Sequence, residues 1–383
     1  MEIWEKEEKI RRTCMLMISH ACNLNCSYCY EKFKSAKKMS FSIAKEAIQK
    51  EISFVKRSKK LHELEIDLMG GEPMTNFQLV VELVEWAENG GIDIPYIFHM
   101  TTNGTLFFDE EKKWFKKHKK SICCGISYDG NIEVQEENRG KKSTEIDIDF
   151  FVKTWPFQGV HMTISPESLH SLAKNVLDLQ SKRIRVEMAL AEGIDWSLKD
   201  AEVYREQLNY LSEYYCNHSD LKPVYTLTRS VIAVDPKKDK RKISTYCGSG
   251  TYMITYDPDG RAYGCHMFSP IVLGKDAVPI KKESLCKKIG QDPVCLNCIL
   301  KHYCPTCAGF NYRYRGDVAI RDKRRCLMFY YEALTAAEFQ IKILSQKENL
   351  TKTDKEHANE ALKSYELLKQ VRLKNFSCFC GER

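Results

Sequence analysis

The stretch "CNLNCSYCYEKF" (residues 22 to 33) sets three cysteines at offsets of four and three, directly after a β-rich run, "TCMLMIS" (13 to 19). Thiolates bind soft metals, and three on one short loop supply three corners of a tetrahedral or cubane site. A structural zinc ion takes four protein ligands, commonly as two pairs, and no second pair lies near Cys22. An iron-sulfur cubane held by Cys22, Cys26 and Cys29 would instead leave one iron without a protein ligand, free to bind a substrate or cofactor.

The rest of the chain narrows the setting. Its 383 residues are 43% hydrophobic, enough for a real core. The 17 cysteines stand beside an N-terminus, "MEIWEKEEKIRR", with no apolar run of a signal peptide, so a reducing cytoplasmic location and metal binding are expected over disulfides. No stretch approaches the roughly 20 apolar residues needed to span a bilayer. The net charge of +7 comes from scattered lysines such as "KKWFKKHKK" (112 to 120), expected to coat an exposed helix. No stacking platform or reading motif accompanies them, which argues against a nucleic-acid partner.

Further β-rich runs follow at 64 to 69, 96 to 102, 122 to 127, 160 to 165 and 184 to 190, separated by segments with helical spacing. Ile43, Ala47, Ile48, Ile52 and Val55 form one apolar stripe, and Ser165 with Pro166 reads as the start of another helix. Six alternating pairs predict an α/β fold with a parallel sheet, a partial (β/α)6 barrel over residues 1 to 220. Residues 221 to 345 carry clustered cysteines and turns, as expected of a mostly irregular domain whose core is metal, with helical character returning near Leu327. From 346 to 383 we expect an amphipathic helix with Ala358, Leu362 and Tyr365 on one face, then a cysteine-bearing tail.

The CxxxCxxC spacing, with Tyr28 before the third cysteine, resembles that of the radical S-adenosylmethionine (SAM) enzymes. The resemblance extends to "LMGGEPMTN" (68 to 76), "TTNGT" (101 to 105) and "SYDGNIEVQEENRG" (127 to 140). It implies that the open iron chelates the methionine moiety of SAM and that Tyr28 lies beside the adenine. It further implies that Gly70, Gly71 and Glu72 contact the amino group, that Ser127 lies near the ribose and that Arg139 lies near the carboxylate.

The later cysteines are Cys247, Cys265, "CLNCILKHYCPTC" (Cys295, Cys298, Cys304, Cys307) and Cys326. Taken alone, two CxxC pairs read as a compact zinc knuckle, which leaves Cys247, Cys265 and Cys326 idle. The whole set resembles the SPASM extension of peptide-modifying radical SAM enzymes, which carries two auxiliary 4Fe-4S clusters. That resemblance assigns Cys295, Cys298, Cys304 and Cys326 to one cluster and Cys247, Cys265 and Cys307 to the other, so the two readings disagree about Cys307. The fourth ligand of the latter cluster is open between Cys286, Cys216, Cys378, Cys380 and a substrate group. Cys14, Cys123 and Cys124 read as buried small hydrophobes.

With three 4Fe-4S clusters and SAM as cofactors, the expected enzyme abstracts a hydrogen atom from a ribosomally made peptide. It then forms an intramolecular thioether or carbon to carbon crosslink by net two-electron oxidation. Sulfatase-maturing enzymes, which make formylglycine, carry an acidic residue where this chain has His266, and this histidine is the candidate base. Asp257 and Asp259 read as turn formers. The expected partners are the precursor peptide and a reductant such as flavodoxin or ferredoxin; since only about a dozen residues precede the first strand, leader recognition is expected to need a separate protein, or the barrel mouth and tail helix. The rivals are a sulfatase maturase and a non-catalytic zinc-stabilised binding module.

Overall fold

The computed structural model of the protein describes residues 10–239, 247–279, 292–305 and 307–371. Cys286, Cys378 and Cys380 lie outside the described residues. Eight strands follow in chain order: β1 (Ile10–Ser19), β2 (Leu61–Gly70), β3 (Tyr96–Thr102), β4 (Ile122–Ser127), β5 (Val160–Ile164), β6 (Val186–Leu190), β7 (Met253–Tyr256) and β8 (Ala262–Tyr263). The first six fall on the six β-rich runs of the sequence. Helices α1 (Phe41–Arg57), α2 (Phe77–Trp86), α3 (Asp109–His118), α4 (Ile132–Arg139), α5 (Ile148–Thr154), α6 (Leu172–Ser181) and α7 (Leu198–Asn217) alternate with them. The chain thus has an α/β fold built on parallel strands.

It divides into two compact units: the first comprises Met1–Tyr128, Arg139–Val160 and Cys247–Lys287, and the second the remaining segments, including Lys288–Arg383. In the first unit β1 is central, pairing in parallel with β2 on one side and β7 on the other. β3 and β4 continue the sheet in parallel beyond β2, and β8 returns antiparallel to β7. Leu64, Ile66 and Leu68 of β2 are fully buried while Glu65 and Asp67 between them are not, which gives the strand one apolar and one polar face. Parallel strands all point one way, so the C-terminal ends of β1 to β4 and β7 collect along one edge, where the loops of such folds build sites.

Helix α1 buries Ala44, Ala47, Ile48, Ile52 and Val55, and the Ser40 hydroxyl caps it by accepting from the Ile43 N–H. Glu51 on the same face is also buried; its carboxylate accepts from Arg12 Nε at 2.6 Å and from the Tyr256 hydroxyl at 2.7 Å. That charge network joins α1 to β1 and β7. The run 112–120 lies mostly on α3 with Lys113, Lys116, Lys117, Lys119 and Lys120 exposed, as expected, although Lys112 is half-buried and Phe115 and His118 are buried.

The second unit contains α6, α7 and two long helices, Cys326–Ser345 and Lys352–Lys369. The first of these is buried on nearly every side from Leu327 to Ala337, as suits a core helix packed between α7 and the Lys352–Lys369 helix. Glu332 on it accepts hydrogen bonds from the Tyr204 hydroxyl at 2.8 Å and the Tyr303 hydroxyl at 3.0 Å, and it pairs with Arg229.

Local expectations fail in three places for identifiable reasons. Ser165 caps no helix: its hydroxyl is fully buried and bonds to Asn138 and Ser168, and α6 starts only at Leu172 after a 3-10 turn. The Lys352–Lys369 helix buries Ala361, Ser364 and Leu368 rather than the face of Ala358, Leu362 and Tyr365. The Ser364 hydroxyl donates to the Val231 carbonyl and accepts from the Ala233 N–H, which turns that face inward. Cys14 and Cys124 are buried as expected, whereas Cys123 lies on the half-buried face and accepts from Gln158 Nε2 at 3.1 Å.

Candidate cluster sites

The loop bearing Cys22, Cys26 and Cys29 leaves β1 and docks on the corner that ends β2. Two backbone bonds make the dock: Gly71 N–H donates to the Ser19 carbonyl at 3.0 Å, and Glu72 N–H to the Ala21 carbonyl at 2.8 Å. Side chains are excluded at this approach. A Cβ on Gly70 would lie 2.0 Å from the Ser19 oxygen, and one on Gly71 would lie 2.6 Å from the Ala21 oxygen and 3.0 Å from Cys22 Cβ. Gly71→Ala is therefore expected to displace the thiol loop and lower the iron bound per chain after anaerobic reconstitution; unchanged iron content would contradict this reading of the corner.

Glu72 is buried, and its carboxylate is fully engaged. It accepts from the Thr102 hydroxyl at 2.7 Å, from the Asn103 N–H at 2.8 Å and from the Met74 N–H at 3.0 Å. Burial pushes the carboxyl up, and these donors with the Arg139 charge pull it back. The side chain thus locks the ends of β2 and β3 together.

A second lock was not foreseen from sequence: Asn103 Nδ2 donates to Asn23 Oδ1 at 2.9 Å, while Asn23 Nδ2 donates to the Thr105 hydroxyl at 2.7 Å. The asparagine inside the cysteine motif was the available signal. Tyr28 and Arg139, assigned to different parts of SAM, come together, with the guanidinium 5.5 Å from the ring centroid. Ser127 ends β4, half-buried. Asp67, in register with His99 on the polar face of β2 and β3, also escaped the sequence reading; burial pushes its carboxyl up to about 7.

The Cys265 segment is tied to the thiol loop within the same unit. His20 Nε2 lies 2.8 Å from Asp257 Oδ1, both residues being almost wholly buried, so Asp257 anchors the loop as well as opening the turn, where its carbonyl accepts from the Gly260 N–H at 2.8 Å. Asp259 does form the turn, accepting from the Arg261 N–H. The Tyr30 hydroxyl lies 3.1 Å from His266 Nε2. Desolvation pushes the His266 imidazole down to about 4, so the ring is neutral at pH 7, the form in which its nitrogen can accept a proton. The Ser249 hydroxyl donates to the Gly264 carbonyl at 3.2 Å, which joins the loop after Cys247 to the residues before Cys265.

In the second unit Cys295, Cys298, Cys304, Cys307 and Cys326 line one cavity together with Arg321 and Arg325. Asp292 caps the short helix carrying Cys295, and Cys326 opens the long core helix. Cys216 lies at the far end of α7 and does not line this cavity.

The donor sets fit iron-sulfur clusters. Burial pushes the Cys22 thiol up to about 11 and the Cys295 thiol up to about 12, so a metal must displace the proton to gain a thiolate. Among the described residues no three His, Cys, Asp or Glu side chains converge on a single-ion site. Among the described residues no helix is long and apolar enough to cross a membrane.

Comparison with known proteins agrees with this arrangement. The profile of the 4Fe-4S single cluster domain matches residues 10–146, which include the three-cysteine loop and the Gly70–Gly71 corner. The antilisterial bacteriocin subtilosin biosynthesis protein AlbA of Bacillus subtilis is 24% identical over 270 residues, covering 66% of this chain and 54% of AlbA. The radical SAM cyclopropyl synthase TigE of Paramaledivibacter caminithermalis is 30% identical over 126 residues, covering 29% of this chain and 26% of TigE. The chain thus spans about half the length, or less, of these curated relatives. The solved structure of histidine-tagged anSMEcpe with bound AdoMet has the same fold: TM-score 0.65, 16% identity, 92% of this chain and 98% of that one covered. In motif order, fold and relatives, the chain is similar to radical SAM proteins that carry a SPASM-type extension.

Proposed function

We propose that this protein is a peptide maturase that takes a hydrogen atom from a ribosomally made precursor and closes an intramolecular thioether or carbon to carbon crosslink by net two-electron oxidation. The observation that carries this reading is the docking of a three-thiol loop on the Gly70–Gly71 corner, with Tyr28 facing Arg139 beside it. Cys22, Cys26 and Cys29 would hold a cluster open to SAM, and Cys295, Cys298, Cys304 and Cys326 an auxiliary one. Cys247 and Cys265, whose segments Ser249 joins, would serve a third. When bound and reduced, the SAM-binding cluster supplies one-electron cleavage of a sulfonium and thus a radical able to abstract hydrogen from an unactivated carbon.

The chain's own residues do the positioning. Glu72 and the Asn23–Asn103–Thr105 network fix the loop relative to the strand ends, so that small displacements of the reacting atoms are resisted. Tyr28 offers a flat face and Arg139 a cation, suited to an adenine and a carboxylate. His266, 3.1 Å from the Tyr30 hydroxyl, is the candidate proton acceptor. A peptide substrate is supported by AlbA's role in bacteriocin biosynthesis and by a solved anSMEcpe complex with bound AdoMet and a peptide.

The test is anaerobic incubation of the reduced chain with SAM and a short peptide encoded beside its gene. We expect 5'-deoxyadenosine and a peptide lighter by two hydrogens that does not react with carbonyl reagents. A carbonyl-bearing product would favour formylglycine formation instead, and zinc in place of iron would exclude both.

A further inference from the structure

The cysteine-lined cavity of the second unit contains a buried guanidinium whose nitrogens are incompletely hydrogen-bonded. Arg321 lines it beside Cys295, Cys298, Cys304, Cys307 and Cys326, and the residue is only 5% exposed. Its Nη1 donates to the Cys304 carbonyl at 3.4 Å, while Nε and Nη2 are buried without a hydrogen-bond partner among the described residues. Its neighbours are neutralised: Arg325 pairs with Glu192 at 2.6 Å, and Arg324 with Asp322 at 2.7 Å. Asp292 accepts the Arg321 backbone N–H at 2.9 Å on Oδ2 and the Val294 N–H on Oδ1, and among the described residues it makes no ion pair with the Arg321 guanidinium.

A guanidinium carries five donors and does not lose its proton, so burial with two of its nitrogens unpaired is costly unless an anion completes the site. Four thiolates around a cubane core form such an anion, because their combined negative charge exceeds the positive charge of the core. One-electron reduction adds a further negative charge and transfers no proton.

We propose that Arg321 is the counter-cation of the cluster held by Cys295, Cys298, Cys304 and Cys326 and that it raises this cluster's reduction potential. The proposal rests on the reading of the cavity as an iron-sulfur site. Charge and hydrogen bonding around cluster sulfurs are recognised determinants of potential. A buried cation stabilises the reduced, more negative state more than the oxidised one.

The experiment is an anaerobic redox titration with dithionite as the reductant, followed by electron paramagnetic resonance, on the reconstituted full chain and its Arg321→Gln and Arg321→Lys variants. The signal of this cluster is identified by its loss in Cys298→Ala. At equal iron content, Arg321→Gln is expected to shift the midpoint to a more negative potential, and Arg321→Lys to stay near the wild type. An unchanged midpoint in Arg321→Gln would overturn the proposal. So would equal loss of this cluster from both variants, which would make Arg321 a scaffold residue. If Cys298→Ala loses no iron or signal relative to the wild type, the cluster reading itself fails, an outcome distinct from either.

Discussion

Replacement of Cys22, Cys26 and Cys29 by alanine is expected to reduce SAM-dependent 5'-deoxyadenosine release to background while iron remains bound at the later cysteines. All three thiols lie on one loop, between Ala21, whose carbonyl accepts from Glu72, and the helix that follows, so the triple replacement removes every thiol of that loop. The later cysteines are held by separate elements: Cys295 by a helix capped by Asp292, and Cys326 by the long core helix. Iron per chain should fall by about four atoms, one cubane's worth. Release that survived in the triple variant would remove the first cluster from the account, and complete loss of iron would show that the sites do not assemble independently.

Glu332→Ala should destabilise the second unit by about 3–5 kcal/mol, the range for removing one partner of a buried charge pair. The carboxylate is 6% exposed and receives Tyr204, Tyr303 and Arg229, whose guanidinium also stacks 3.8 Å from the Tyr303 ring centroid. Truncation would leave a buried guanidinium and two phenol hydroxyls without their acceptor. Glu332→Gln keeps one acceptor oxygen and should cost less. Urea unfolding of the metal-free, reduced chain checks the order: wild type, then Glu332→Gln, then Glu332→Ala in falling midpoint. Coincident midpoints would show that the network contributes little.

Much of this arrangement was legible in the sequence because it rests on local patterns. Strand periodicity located the first six strands, and cysteine spacing with a glycine pair located the loop and the corner it meets. What the sequence could not show were contacts made across long separations. Asp257 resembles its neighbour Asp259, yet it reaches back 237 positions to His20. Arg12 and Glu51 are ordinary surface types, buried here where they meet each other and Tyr256. β7 is four residues long and precedes an irregular, cysteine-rich segment, and its pairing with β1 follows from the sheet's free edge rather than from its own pattern. The proton affinity of His266 was hidden for a related reason: residue type gives an intrinsic value, whereas desolvation by the surrounding fold lowers it.

The central claim is that Cys22, Cys26 and Cys29 hold a cubane with one iron accessible to SAM. Its most direct test is the electron paramagnetic resonance spectrum of the anaerobically reconstituted, dithionite-reduced chain before and after addition of SAM. The account predicts a 4Fe-4S signal that changes on SAM addition in the wild type and is absent from the Cys22, Cys26 and Cys29 alanine variant. A spectrum indifferent to SAM, or the same SAM-dependent change in that variant, would contradict it.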